Sequence, residues 1–200
     1  MKNKLKIGLH VIIFVSAVVG ILLQCGVGSS TFSLSTFRMF TTLSNCAIAL
    51  FYFIDFFAER NELMKKMKFA VTMCIVLTGS VAAILLNGMF DSMEPLQKAG
   101  IFLLHDVTPI GTVLDWIVFD KKGQTTKQMP LFAALFPILY LIFVFASAPL
   151  VETMKYPYPF IDITTLGIGM VIVNVIGLTI AFMIVGYLAV FLDHKLDNVK

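Results

Sequence analysis

Two stretches decide the fold: FRMFTTLSNCAIALFYFID at residues 37–55 and AGIFLLHDVTPIGTVLDWIVF at residues 99–119. Each is long enough as a helix to cross a bilayer core, which takes about 20 apolar residues. Both are continuously apolar rather than alternating, which selects helices over a transmembrane barrel. Four similar runs flank them. The predicted spans lie near 7–27, 36–58, 68–90, 98–119, 130–151 and 164–192, joined by short connections. The expectation is an all-α polytopic membrane protein, a single six-helix transmembrane domain over residues 1–200.

Composition agrees. The 200 residues are 58% hydrophobic, with a mean hydropathy of +0.92; soluble domains average roughly 45–50% apolar. Lys2, Lys4 and Lys6 precede the first run. Arg60, Lys65, Lys66 and Lys68 fall between the second and third, Lys121, Lys122 and Lys127 between the fourth and fifth, and Lys195 and Lys200 after the sixth. The other side carries only Arg38, Lys98 and Lys155. This bias predicts cytoplasmic N- and C-termini in a multi-pass cell-membrane protein. It also accounts for the net charge of +3 without nucleic acid as a partner. The first run is too long for a signal peptide and reads as a retained helix.

His105 is the only histidine well inside a span, where an ionisable ring usually faces a partner or a cavity. His10 and His194 fall at the inner ends and read as solvated. Arg38, Thr41 and Asn45 share one face of the second helix, continued by Tyr52 and Asp55. His105, Thr108, Pro109, Thr112 and Asp115 form a similar stripe on the fourth. Both stripes should face the interior, and Pro109 should free a carbonyl near His105 and bend the helix. Asp115-Trp116 reads as an interfacial anchor, its carboxylate snorkelling toward lysines. Gly167, Gly169 and Gly177 read as sites of close helix packing.

A neutral imidazole can activate a Thr hydroxyl as nucleophile. Asn45 and Asn87 are candidate oxyanion donors. Arg38 is a candidate for a lipid carboxylate or phosphate, and Asp162 in the loop YPYPFID is a candidate orienting acid. The same groups also suit interhelical hydrogen bonding. No zinc ligand set, Walker motif or dinucleotide glycine motif is present, so no metal or cofactor is expected. Cys25, Cys46 and Cys74 lack ligand spacing and read as buried thiols.

FTTLSN at 40–45, His105 with Pro109, Asp115-Trp116 and YPYPFID resemble a bacterial six-helix membrane family, which points to the bacterial plasma membrane. More distantly, the chain is similar to the androgen-induced and androgen-dependent TFPI-regulating proteins. Those are threonine hydrolases of fatty acid esters of hydroxy fatty acids. Their basic-aromatic-Leu-Thr-x-Leu-Asn context matches Arg38-Met39-Phe40-Thr41-Thr42-Leu43-Ser44, with Ser44 in place of Asn and Asn45 one position on. The resemblance implies Thr41 as nucleophile, with Thr42 the competing register, and His105 as base, although its spacing to Pro109 differs. The expected function is intramembrane hydrolysis of a fatty acyl ester. The alternative is a lipid or small-molecule carrier gated by His105.

Overall fold

Every long apolar run becomes a helix. In the computed structural model, which describes residues 2–29, 32–59, 61–86, 88 and 93–197, these are α1 (Lys2–Gln24), α2 (Phe40–Phe57), α3 (Glu62–Leu85), α4 (Pro95–Phe119), α5 (Met129–Ser147) and α6 (Ile163–Asp197). All six are long and apolar enough to cross a membrane, the architecture of a multi-pass membrane protein. No strand occurs among the described residues.

The helix ends depart from the predicted spans for one physical reason. Apolarity marks where hydrocarbon would lie, whereas a helix runs on until its backbone is capped. α3 starts at Glu62 because Asn61 caps it, its side chain accepting from the Met64 N–H at 2.9 Å. Lys65, Lys66 and Lys68 are therefore helical and not in a loop. α2 starts later than expected: a 3-10 turn at Ser35–Arg38 precedes it, and Thr41 lies in its first turn.

α1 packs on α2 and α4, α2 on α3, and α3 on α4 and α5. Ile13, Ala17, Ile48, Phe51 and Ile75 form one buried cluster, and Phe40, Cys74, Tyr140, Val144 and Ile161 another. The α1–α4 approach needs glycine. A Cβ on Gly100 would stand 3.0 Å from Leu23 Cβ and 3.2 Å from the Gly20 carbonyl.

α6 stands apart, with most of its surface exposed. Gly167, Gly169 and Gly177 have nothing within 4 Å of a Cβ, so the packing role expected for them is wrong. Gly167 instead supplies a kink at φ 73°, a conformation that costs an L side chain strain. Packing depends on which face a glycine presents, and these three sit on the outward faces of α6.

Candidate functional site

The π-helical segment Leu103–Val107 interrupts α4 around His105. Its cause is local. Pro109 has no N–H, so neither the His105 carbonyl, in α register, nor the Leu104 carbonyl, in π register, receives a bond from position 109. The Thr108 hydroxyl donates to the Leu103 carbonyl at 2.8 Å. The Asn45 amide donates to the Leu104 carbonyl at 3.3 Å. The bend expected at Pro109 thus takes the form of a π turn, and a neighbouring helix satisfies part of its backbone. Gly79 of α3 lets this turn approach closely, since a Cβ there would be 3.0 Å from the His105 carbonyl.

Thr41 and His105, 64 positions apart, line the same cavity. It encloses about 90 Å³ between α3, α5 and α6. Its walls are almost wholly apolar: Leu77, Val81, Pro137, Ile138, Leu178 and Phe182 are among them. Tyr158 and Ile161 of the 148–162 connection also line it, and both are buried. Ile138 and Thr179 line the cavity too, yet are exposed on the outer surface of the bundle. The cavity therefore has a closed loop on one side and a lateral mouth between α5 and α6.

Around Thr41 the geometry is specific. Its backbone N–H donates to the Tyr158 Oη at 3.2 Å, and its hydroxyl is also 3.2 Å from that oxygen. Met39 offers α2 no side-chain cap, so Tyr158 serves the otherwise unpaired amide of the first turn. Tyr158 stacks on Phe160 at 5.2 Å. Burial pushes its phenol up, against the smaller opposing effect of the Thr41 bonds, so it stays protonated and can donate. Nδ1 of His105 lies 3.4 Å from the Thr78 carbonyl. A carbonyl only accepts, so Nδ1 carries the proton and Nε2 the lone pair.

Thr42 bonds to Thr36 at 2.9 Å and does not line the cavity. The other expected site residues sit elsewhere. Asn45 is fully buried, and its amide donates to the Thr41 carbonyl at 2.9 Å as well as to Leu104. It braces α2 against the π turn instead of facing the cavity. Arg38 donates to the Met154 carbonyl (2.8 Å), the Ser147 hydroxyl (2.9 Å) and the Lys155 carbonyl (3.0 Å), and so ties down the connection that carries Tyr158. Asp162 caps α6 through the Thr164 N–H at 2.8 Å and the Thr165 hydroxyl at 2.7 Å, so it is not an orienting acid for His105. Asn87 lies outside the described residues.

A second polar centre lies toward the termini, and there the sequence reading was wrong. Asp115 is fully buried and does not snorkel. It accepts from His10 Nε2 at 2.8 Å, from the Tyr52 hydroxyl at 2.9 Å and from Lys68. Lys68 also bridges Asp120 at 3.0 Å. His10, expected to be solvated, is buried against Tyr52 at 4.7 Å between ring centroids. The stripe rule placed Tyr52 and Asp115 inward but gave no partner. His10 had no such signal, because it lies near the end of the predicted span 7–27, although the helix itself begins at Lys2.

Among the described residues no group of His, Cys, Asp or Glu is arranged to hold a metal, and the three cysteines are free thiols. The fold and cavity define a six-helix membrane protein with a small apolar pocket whose lining includes Thr41, Thr78, Thr179 and His105. No protein-family model, curated protein or solved structure matches the chain.

Proposed function

We propose that the protein is an intramembrane ester hydrolase acting on a fatty acyl ester, with Thr41 as nucleophile and His105 as base. The observation that carries it is that both side chains line one apolar cavity, which Thr42 does not. π turns inserted in α-helices are frequent at functional sites, and this one surrounds His105.

The chemistry follows from the groups present. Thr41 Oγ1 attacks the ester carbonyl carbon as its proton passes to His105 Nε2. The Tyr158 hydroxyl, 3.2 Å from that of Thr41, donates to the developing oxyanion, a charge that the nearby N-terminus of α2 favours. The tetrahedral intermediate collapses, the C–O bond to the leaving alcohol breaks, and the imidazolium returns the proton to that alkoxide. Water then attacks the acyl-threonine with His105 again as base, releasing the fatty acid and Thr41. In the structure Thr41 is bonded to Tyr158. A substrate carbonyl taking up that bond frees the hydroxyl to turn to His105, and catalytic hydrogen bonds commonly tighten only on substrate binding.

The lateral mouth at Ile138 and Thr179 supports a substrate drawn from the lipid phase. The lysine bias of the terminal end supports its placement on the cytoplasmic side, and hence access to the cavity from the outer leaflet.

The test is intact-mass spectrometry after a fluorophosphonate probe, with turnover of a fatty acid ester of a hydroxy fatty acid measured in parallel. Wild type and Thr42→Ala should carry one adduct and turn over. Thr41→Ala and His105→Ala should do neither. Activity surviving both of the latter changes would exclude the assignment, and wild type without adduct or product would leave a lipid carrier.

A further inference from the structure

A second, larger cavity of about 520 Å³ lies between α3, α4 and α6 toward the termini. It shares no lining residue with the Thr41 cavity. Volumes of roughly 300–1,000 Å³ are typical of small-molecule sites. Its lining is graded. Lys65, Lys121, Gln124 and Trp116 lie at the end near the connections, and Phe69, Met73, Val76, Val185 and Leu188 continue along the helices. Trp prefers the membrane–water interface, so this rim sits at headgroup level and the remainder within hydrocarbon.

The rim carries three cations, Lys65, Lys68 and Lys121, and two carboxylates that already have partners: Asp120 is bridged by Lys68 at 3.0 Å, and Asp193 accepts from the Thr125 N–H and hydroxyl. Lys121 is exposed and makes no ion pair among the described residues. Lys65 pairs with the exposed Glu62 at 2.6 Å and donates to Gln124 Oε1 at 2.8 Å, which leaves the Gln124 amide N–H groups as further donors. Lys122 donates to the Trp116 carbonyl and lies 4.0 Å over its ring, holding the indole in place. One turn beyond Lys68 the Thr72 hydroxyl lines the cavity and is buried without a hydrogen-bond partner. A buried unpaired hydroxyl is costly, and this one sits where an acceptor just below a headgroup would lie.

From this gradient we infer that the cavity binds one anionic phospholipid. Its phosphate lies between Lys65, Lys121 and Gln124, an ester carbonyl accepts from Thr72, and an acyl chain runs along Phe69 and Val76. This site is independent of the hydrolase reading, and its test does not use turnover.

Trp116 is the only tryptophan and lines the cavity, so it reports occupancy. The purified full chain is reconstituted in phosphatidylcholine nanodiscs with rising fractions of brominated phosphatidylglycerol, or of brominated phosphatidylcholine as reference. Phosphatidylglycerol should quench Trp116 well beyond its share of the bilayer. Each lysine near a membrane surface is worth about fivefold in anionic-lipid affinity. The Lys65→Gln/Lys121→Gln protein should therefore need on the order of 20-fold more phosphatidylglycerol, while Lys65→Arg/Lys121→Arg keeps the preference. If the double glutamine variant does not fold, Lys121→Gln alone should show the fivefold loss. Equal quenching by the two lipids overturns the inference, as does a preference that survives loss of both lysines. Abolition of the preference by millimolar inorganic phosphate would identify a site for the free anion and overturn the lipid as occupant.

Discussion

Replacing Asp115 tests the part of the structure least expected from sequence. Its carboxylate is fully buried and takes three donors, from His10 on α1, Tyr52 on α2 and Lys68 on α3. Asp115→Ala leaves the Lys68 ammonium, only 6% exposed in its side chain, with Asp120 as its remaining carboxylate at 3.0 Å. It also deprives His10 and Tyr52 of their acceptor. Breaking a buried pair from one side costs about 3–5 kcal/mol, a shift of roughly 10²–10⁴ in the folded-to-unfolded ratio. Asp115→Asn separates charge from volume. It keeps the shape, loses the charge and turns an N–H₂ toward donors, so it should cost nearly as much as Ala. A pure packing role would make Asn harmless. The assay is equilibrium unfolding in mixed micelles, followed by fluorescence of the adjacent Trp116. An Asn variant within about 0.5 kcal/mol of wild type, the range of surface changes, would refute the buried network. The Lys68→Met/Asp115→Leu pair should lose much less than the two single changes summed, because an apolar pair substitutes for an ion pair at little cost.

Tyr158→Phe keeps the stack on Phe160 and removes the hydroxyl beside Thr41; ester turnover should fall about 10²-fold with KM little changed, and unchanged turnover would remove Tyr158 from the oxyanion role. Gly100→Ala should destabilise the bundle by about 1–3 kcal/mol through overpacking at Leu23, whereas Gly177→Ala, with open space around it, should be neutral or stabilising; equal unfolding midpoints for the two would contradict the α1–α4 approach. The Asp162 carboxyl is held below the usual range chiefly by the Thr164 hydroxyl, then by Thr165. Its contribution to stability is therefore full above the ordinary carboxylate pKa and lost as pH falls through the depressed value. Asp162→Ala should lower the Tm at neutral pH and converge on wild type in acid, and a gap that stays constant with pH would be inconsistent with the cap.

Much of the site was legible from residue type and helical spacing. Thr41, Asn45, Tyr52, Thr108, Thr112 and Asp115 all fall on interior faces, because a bilayer leaves polar side chains few other places to go. The roles assigned to Arg38, Asn45 and Asp162 failed for a shared reason: each has a backbone to serve. Arg38 holds the connection bearing Tyr158, Asn45 the carbonyl stranded by Pro109, and Asp162 the first turn of α6. Such demands arise from neighbours remote in sequence.

The chain by itself determined the six helices and the inward direction of their polar stripes, because hydrophobic length and helical period are local properties. Tertiary structure alone decided that Thr41 and His105 share a cavity, that Tyr158 closes over Thr41, and that His10, Tyr52 and Lys68 converge on Asp115. Each of these depends on how helices rotate and approach. Gly20, Gly79 and Gly100 set that approach through contacts with residues on other helices, and no spacing within one helix encodes it.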